Sequence, residues 1–164
     1  MDRDVTKRTF LGSATAAVGA LLPGCGQASA KRPAETFEVT KTPAEWRKLL
    51  PPERYAVLRE EKTERPRSSP LNAEHRQGTY ACAGCRLPLY RSQAKFESGT
   101  GWPSFTAPIP NAVRTRPDGF AVFARTEVHC RRCGGHLGHV FDDGPAPTGK
   151  RYCMNGAALL FNVA

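Results

Sequence analysis

At 164 residues with 40% apolar content, the chain is the size of one domain and can build one real core. Its formal charge of +9 raises nucleic acid as a partner, but the basic residues are scattered and acids interleave through "REEKTERPR". That pattern speaks against a nucleic-acid stripe and for a basic, soluble surface.

The first thirty residues differ from the rest. "TKRTFLGSATAAVGALLPGCGQASA" sets Lys7 and Arg8 before an Ala/Gly-rich apolar stretch. At about fourteen residues that stretch falls short of the ~20 that a membrane span needs and fits the core of an export signal. "TKRTFLG" resembles a twin-arginine signal with lysine in the first arginine position. Two processing points stay open: cleavage after Ala30 in "ASA", or a lipobox-like "LLPGC" that would leave Cys25 as a lipid-bearing terminus. The expected organisation is an export signal over 1–30, a polar lead-in over 31–40 and one body domain over 41–164. Beyond residue 30 there are 21 basic and 13 acidic residues, so a charge of +8 belongs to the body itself.

"TKTPAEWRKLL" predicts a helix with Thr42 as cap, Pro43 in the first turn and Glu45 closing a capping box. Trp46, Leu49 and Leu50 would form its inward face. "PPERYAVLREE" predicts a second short helix, with Tyr55, Val57 and Leu58 as its apolar set. A Pro-, Ser- and charge-rich connection follows. From Thr79 onward, short strands alternate with Gly, Pro and Asp: "TYAC", "LPLY", "GFAVFARTEVHC", "LGHVF" and "ALLFNVA". "RPDG" (Arg116 to Gly119) reads as a turn before a strand beginning at Phe120. The body is therefore expected to be mainly β and antiparallel, with two short helices at its start.

Two C-x-x-C pairs, Cys82/Cys85 and Cys130/Cys133, stand 44 residues apart. Four thiolates at about 2.3 Å make a closed tetrahedral zinc site of the structural kind. Redox dithiols and two local disulfides are the competing readings. Neither pair opens a helix in a βαβ pattern, and a disulfide within C-x-x-C would constrain little, so zinc is preferred.

Cys153 in "GKRYCMNGAALLF" belongs to neither pair. A lone cysteine is most often a core thiol. Strand alternation, however, puts Arg151 on its side, where a cation favours the nucleophilic thiolate, and puts Asn155 there with an amide to orient a substrate. His136 and His139 lie just beyond the second pair; with the tetrahedron already filled they are free for acid–base work. In "FESGTGWPSF", a rigid Gly-Trp-Pro loop can offer Trp102 as the wall of an apolar pocket, with an ordinary core tryptophan as the alternative.

These stretches together resemble the zinc-containing methionine-R-sulfoxide reductases. The resemblance runs from about Thr40 to Phe161 through "TPAEWRKLLPPERYAVLREEKTERPRSSPLN", both cysteine pairs, "YRSQAKFESGTGWPSF", "RTEVHCRRCGGHLGHVFDDGP" and "RYCMN". It implies two antiparallel β-sheets with N-terminal helices and a zinc site opposite the reaction centre. It also implies reduction of R-methionine sulfoxide, free or in oxidised proteins, by a monomer that does not bind nucleic acid. Carried over by position, Cys153 is the nucleophile. His136, His139 and Asp143 polarise and protonate the sulfoxide oxygen, Arg151 supports the thiolate, Asn155 positions the sulfoxide and Trp102 holds its methyl group. Cys153 ends as a sulfenic acid. Many members of this family carry a recycling cysteine before the tryptophan; here the position is Thr100. The expected cycle therefore uses one cysteine and a thioredoxin-like or other external thiol. Smaller departures are Lys62 and Arg67 in the connection, and Gly156 after the asparagine. Two other classes remain: a zinc-ribbon module holding nucleic acid, which leaves Cys153 and the histidines unexplained, and a thiol oxidant sensor, which needs a partner.

Overall fold

The computed structural model describes residues 35–119 and 125–164. The segment expected to be an export signal, Cys25 and the start of the strand expected at Phe120 lie outside these residues. Helix α1 (Pro43–Leu49) starts as its sequence dictates: the Thr42 hydroxyl accepts the Glu45 N–H, and Glu45 accepts the Thr42 N–H at 2.7 Å. It stops because a proline disfavours helical geometry in the residue before it, and Pro51 follows Leu50, whose backbone is extended. That early stop corrects the expected inward face. Trp46 and Leu50 are buried, but Leu49 is 60% exposed, since Leu50 turns inward only by leaving the helix. Helix α2 (Pro52–Glu60) buries Tyr55, Val57 and Leu58 as expected.

Nine strands form two antiparallel sheets among the described residues. The smaller contains β1 (Gly78–Cys82), β2 (Pro88–Arg91) and β9 (Leu159–Val163), in the order β2-β1-β9. The larger runs β3-β4-β8-β7-β6-β5. Its members are β3 (Lys95–Phe96), β4 (Ser104–Phe105), β5 (Val113–Asp118), β6 (Arg125–Cys130), β7 (His136–Phe141) and β8 (Arg151–Met154). The "RPDG" turn is a second correction. Arg116, Pro117 and Asp118 continue β5 and pair with Glu127, Thr126 and Arg125. Proline is tolerated there because β5 is an edge strand.

Aromatic side chains from both sheets meet in the core. Tyr90 of β2 stacks on Phe105 of β4 at 4.3 Å, and Tyr80 of β1 meets the same ring edge-on at 4.9 Å. The Tyr90 hydroxyl donates to the Met154 sulfur at 3.1 Å. Immediately after Met154 the chain leaves the larger sheet, makes a 3₁₀ turn (Gly156–Ala158) and enters β9 of the smaller one. Gly156 has no room for a side chain, because a Cβ would collide with the Ser69 hydroxyl.

Leu58 lies over Gly84 and Gly135, the turns that carry the cysteine pairs. Leu58→Ala is expected to cost about 2–5 kcal/mol, read as a lower melting temperature and denaturation midpoint.

Candidate active site

Strand β8 sits between β4 and β7, with Cys153 opposite Ser104 on one side and His139 on the other. Alternation sends Met154 into the core and leaves Arg151 and Cys153 on the other face. The Arg151 guanidinium donates two bonds to Asp143, both 2.8 Å, and lies 4.4 Å from the Phe141 ring. Bonding to Asp143, with the Cys153 sulfur adding to it, raises the Arg151 pKa. The Arg151 bonds in turn hold Asp143 below the usual carboxylate range. Asp143 is thus a carboxylate committed to Arg151, with no proton of its own to give.

His136 and His139 are three residues apart, which in a regular strand would put them on opposite faces. A bulge prevents this: Val128 pairs with Gly138 and His129 with His136, so Leu137 is an extra residue. The two rings come within 5.3 Å of each other. Gly138 is required here, because a Cβ would strike the Cys153 carbonyl oxygen on the neighbouring strand. The Leu137 carbonyl, freed from the regular ladder, accepts from the Asn155 backbone at 2.8 Å and from its side-chain amide at 3.1 Å.

Each histidine has its own carboxylate. Glu127 Oε1 lies 2.8 Å from His136 Nδ1, and the other Glu127 oxygen accepts from Arg116. Burial raises the Glu127 pKa, but bonding to His136 and Arg116 outweighs it and leaves the group at about 2. With Glu127 ionised, the network assigns the His136 proton to Nδ1; its Nε2 is buried and finds no partner among the described residues. His139 Nε2 lies 2.8 Å from Asp118. Burial pushes the His139 pKa below its ordinary value despite that bond, so the ring is neutral near pH 7. Sequence reasoning missed both carboxylates. Asp118 was hidden by its reading as a turn residue. Glu127 left one trace, an acid between Thr126 and Val128 in a strand.

Cys153 opens on a cavity of about 120 Å³, lined also by Trp102, Phe141, His139, Asn155, Met154, Gly138, Thr63 and Arg125. Of the expected site residues, Cys153, Trp102, His139 and Asn155 line this cavity, while His136, Arg151 and Asp143 do not. A cavity of about 260 Å³ elsewhere holds no thiol. The Trp102 indole N–H donates to the Glu64 carbonyl at 3.2 Å. The Thr100 hydroxyl is 3.9 Å from the Cys153 sulfur and is tied at 2.8 Å to Ser98, which reaches Ser104 at the same distance. Phe141, Thr63 and Arg125 were not anticipated.

The other four cysteines among the described residues converge, with all sulfurs within 4.8 Å of one another. Two approaches run across the pairs, Cys82–Cys133 at 3.7 Å and Cys85–Cys130 at 3.5 Å. A tetrahedron with 2.3 Å metal–sulfur bonds has edges of roughly 3.8 Å, which these spacings match. They exceed the roughly 2.05 Å of a disulfide. Hydrogen bonding among the crowded sulfurs pushes Cys82 and Cys133 above the usual thiol range and Cys85 and Cys130 below it, so the four thiols share protons as one group. Arg59 and Arg132 donate to the Cys133 and Cys85 carbonyls at 3.0 and 3.4 Å, placing positive charge where it would offset the negative charge of four thiolates around a divalent ion. The four cysteines can hold one metal ion, and neither histidine is needed as a ligand.

The family model described as the SelR domain matches residues 50–163. Over 123 residues the chain is 55% identical to a peptide methionine sulfoxide reductase MsrB of Bradyrhizobium diazoefficiens, covering 74% of this chain and 88% of that protein. A protein of the same name from Methanosarcina barkeri is 54% identical over 126 residues, 76% of this chain and 89% of its own length. One from Pseudomonas putida is 52% identical over 124 residues, 74% and 94% respectively.

The Glu127 carboxylate generates a pH test. Its folded pKa of about 2 lies below the ordinary 4.5, so its stabilisation is complete above pH 4.5 and fades as pH falls toward 2. The gap corresponds to on the order of 3 kcal/mol. Wild type should exceed Glu127→Gln in melting temperature near pH 6, with the difference shrinking between pH 4.5 and 2. A constant difference across that window would contradict the assignment.

Proposed function

This chain belongs to the SelR family of MsrB-type peptide methionine sulfoxide reductases, and from that premise we propose the reaction of its pocket: Cys153 reduces the R epimer of methionine sulfoxide, free or within oxidised proteins. The observation that carries this reading is one thiol opening on a small cavity walled by Trp102 and Phe141, beside His139 and on the face of Arg151.

The rings of Trp102 and Phe141 suit the S-methyl group, and their apolar surface excludes water from the sulfur. Arg151 supports the thiolate form of Cys153, and Asp143 keeps the guanidinium in place. The thiolate attacks the sulfoxide sulfur while the oxygen takes one proton that solvent supplies through the histidine side of the pocket, since the resting rings direct their N–H groups at Asp118 and Glu127. His139 is nearest, and Asp118 and Glu127 orient the two rings. The sulfoxide sulfur gains two electrons and leaves as the thioether. The Cys153 sulfur loses two and retains the oxygen as sulfenic acid. An external thiol then condenses with the sulfenic acid, releasing water, and a second thiol frees Cys153 with formation of the reductant's disulfide. A thioredoxin-like dithiol fits this role.

The other four cysteines of the body are gathered in the metal cluster, and Thr100 occupies the position from which a recycling cysteine would act. We therefore propose a one-cysteine cycle. The sulfur spacing supports zinc as the ion held by Cys82, Cys85, Cys130 and Cys133, with a structural role and no part in the proton transfers. Export through the 1–30 segment, with a lipid at Cys25 if that residue is retained, and a monomeric state complete the proposal. The nucleic-acid ribbon is not favoured, because the cluster belongs to a fold whose chemistry is accounted for by Cys153.

With a dithiol reductant, wild type should reduce the R epimer and leave the S epimer. Cys153→Ser should fall to background with zinc content and melting temperature intact, whereas Cys130→Ser should lose zinc and stability together. Reduction of the S epimer, or an active Cys153→Ser, would sink the reading.

A thiol count tests the cycle. After one equivalent of substrate without reductant, wild type should hold a sulfenic acid that a dimedone-type trap captures. Thr100→Cys should instead close a disulfide to Cys153, because the position lies 3.9 Å from that sulfur. An intramolecular disulfide to Cys153 in wild type would overturn the one-cysteine cycle.

A further inference from the structure

Glu64 lies in the connection between α2 and the smaller sheet, is 7% exposed, and uses every polar atom it has on the frame of the pocket. Its carbonyl accepts the Trp102 indole N–H at 3.2 Å. Its own N–H donates to the Asn155 side-chain oxygen at 3.0 Å. Its carboxylate oxygens accept the Gly156 N–H at 2.6 Å and the Ala157 N–H at 2.8 Å. Those two amides open the turn by which the chain crosses from β8 to β9, two residues after Met154 takes its place in the core.

A buried carboxylate is costly unless its oxygens are occupied by donors. Burial pushes the Glu64 carboxyl above the usual range, and the Ala157 and Gly156 bonds work against that rise. Apolar packing alone could have held this crossover, so a charged side chain there calls for a reason. The pocket supplies one. Trp102 and Asn155 come from distant parts of the sequence, and both are hydrogen-bonded to the backbone of this one residue. The carboxylate fixes that backbone to the segment carrying the nucleophile.

We infer that Glu64 is the positioning residue of the site: its carboxylate locks the Asn155–Ala157 turn, and through the Glu64 backbone that lock sets the distance between the Trp102 wall and Cys153. This rests on the sulfoxide-reductase reading for its kinetic consequence but not for its structural one. Glu64→Gln keeps the size of the side chain and offers one acceptor where two are needed, turning an NH₂ toward a backbone N–H. Misplacing a substrate wall acts on binding and on approach together, and kcat/KM should fall about tenfold or more, with a rise in KM for the R sulfoxide. Glu64→Asp, with both acceptors on a shorter stem, should recover part of the loss.

The direct readout is the emission of Trp102. The second tryptophan, Trp46, is buried, and its ring N–H finds no partner among the described residues, so Trp46→Phe leaves no polar group orphaned and provides a clean background. In Trp46→Phe protein, adding Glu64→Gln should shift the Trp102 emission maximum and increase its quenching by acrylamide, with zinc content unchanged. Unaltered emission and unaltered KM would overturn the inference. So would a kinetic loss that disappears once rates are expressed per folded, zinc-loaded molecule. If wild type failed to reduce either epimer, the functional reading would fall, while the emission shift would still decide whether Glu64 positions Trp102.

Discussion

The convergence of four sulfurs joins parts of the chain that no strand ladder connects. Cys82 ends β1 of the smaller sheet and Cys130 ends β6 of the larger one. Drawing Cys82 to Cys133 and Cys85 to Cys130 closes one end of the layered core, while the turn after Met154 carries the chain itself from one sheet to the other. The aromatic rings of Tyr80, Tyr90 and Phe105 add a packed contact between the two sheets. Helix α2 lies over the cysteine turns through Leu58 and Arg59, so even the short N-terminal helices take their position from the same point.

The reactive face depends on local irregularity rather than on regular sheet. One extra residue at Leu137 rotates the alternation of β7 and brings His136 and His139 together. The same irregularity releases a carbonyl that takes both the backbone and side-chain N–H groups of Asn155. The carboxylates then divide the work. Glu127 and Asp118 orient the rings, Asp143 holds Arg151, and Glu64 holds the turn. Within this site every acid described pairs with a named donor, so charge is fixed in place before a substrate arrives.

What could be read from the sequence was local in origin. Thr42 and Glu45 make a capping box from neighbouring residues alone, the C-x-x-C pairs announce their turns by spacing, and alternation places Arg151 with Cys153. Features set by distant contacts were not legible. Leu49 lost its inward position because the backbone leaves the helix one residue later. "RPDG" carries every sign of a turn, yet an edge position next to β6 lets Pro117 continue a strand. Glu64 and Glu127 look like ordinary surface acids until the fold brings Gly156 and His136 to them across 92 and 9 positions. A bulge leaves hardly any local mark, so the pairing of the two histidines could be suspected from "HLGH" but not explained by it.

The bond between the Tyr90 hydroxyl and the Met154 sulfur carries a meaning beyond packing. Apart from the initiating residue, Met154 is the chain's one methionine, and it is fully buried. Oxidants that create this family's substrates attack accessible thioethers first. Met154 offers them no accessible surface, and a phenolic proton already occupies a lone pair of its sulfur. A repair catalyst built this way presents almost no thioether of its own to oxidants, and so does not compete with its clients for its own active site.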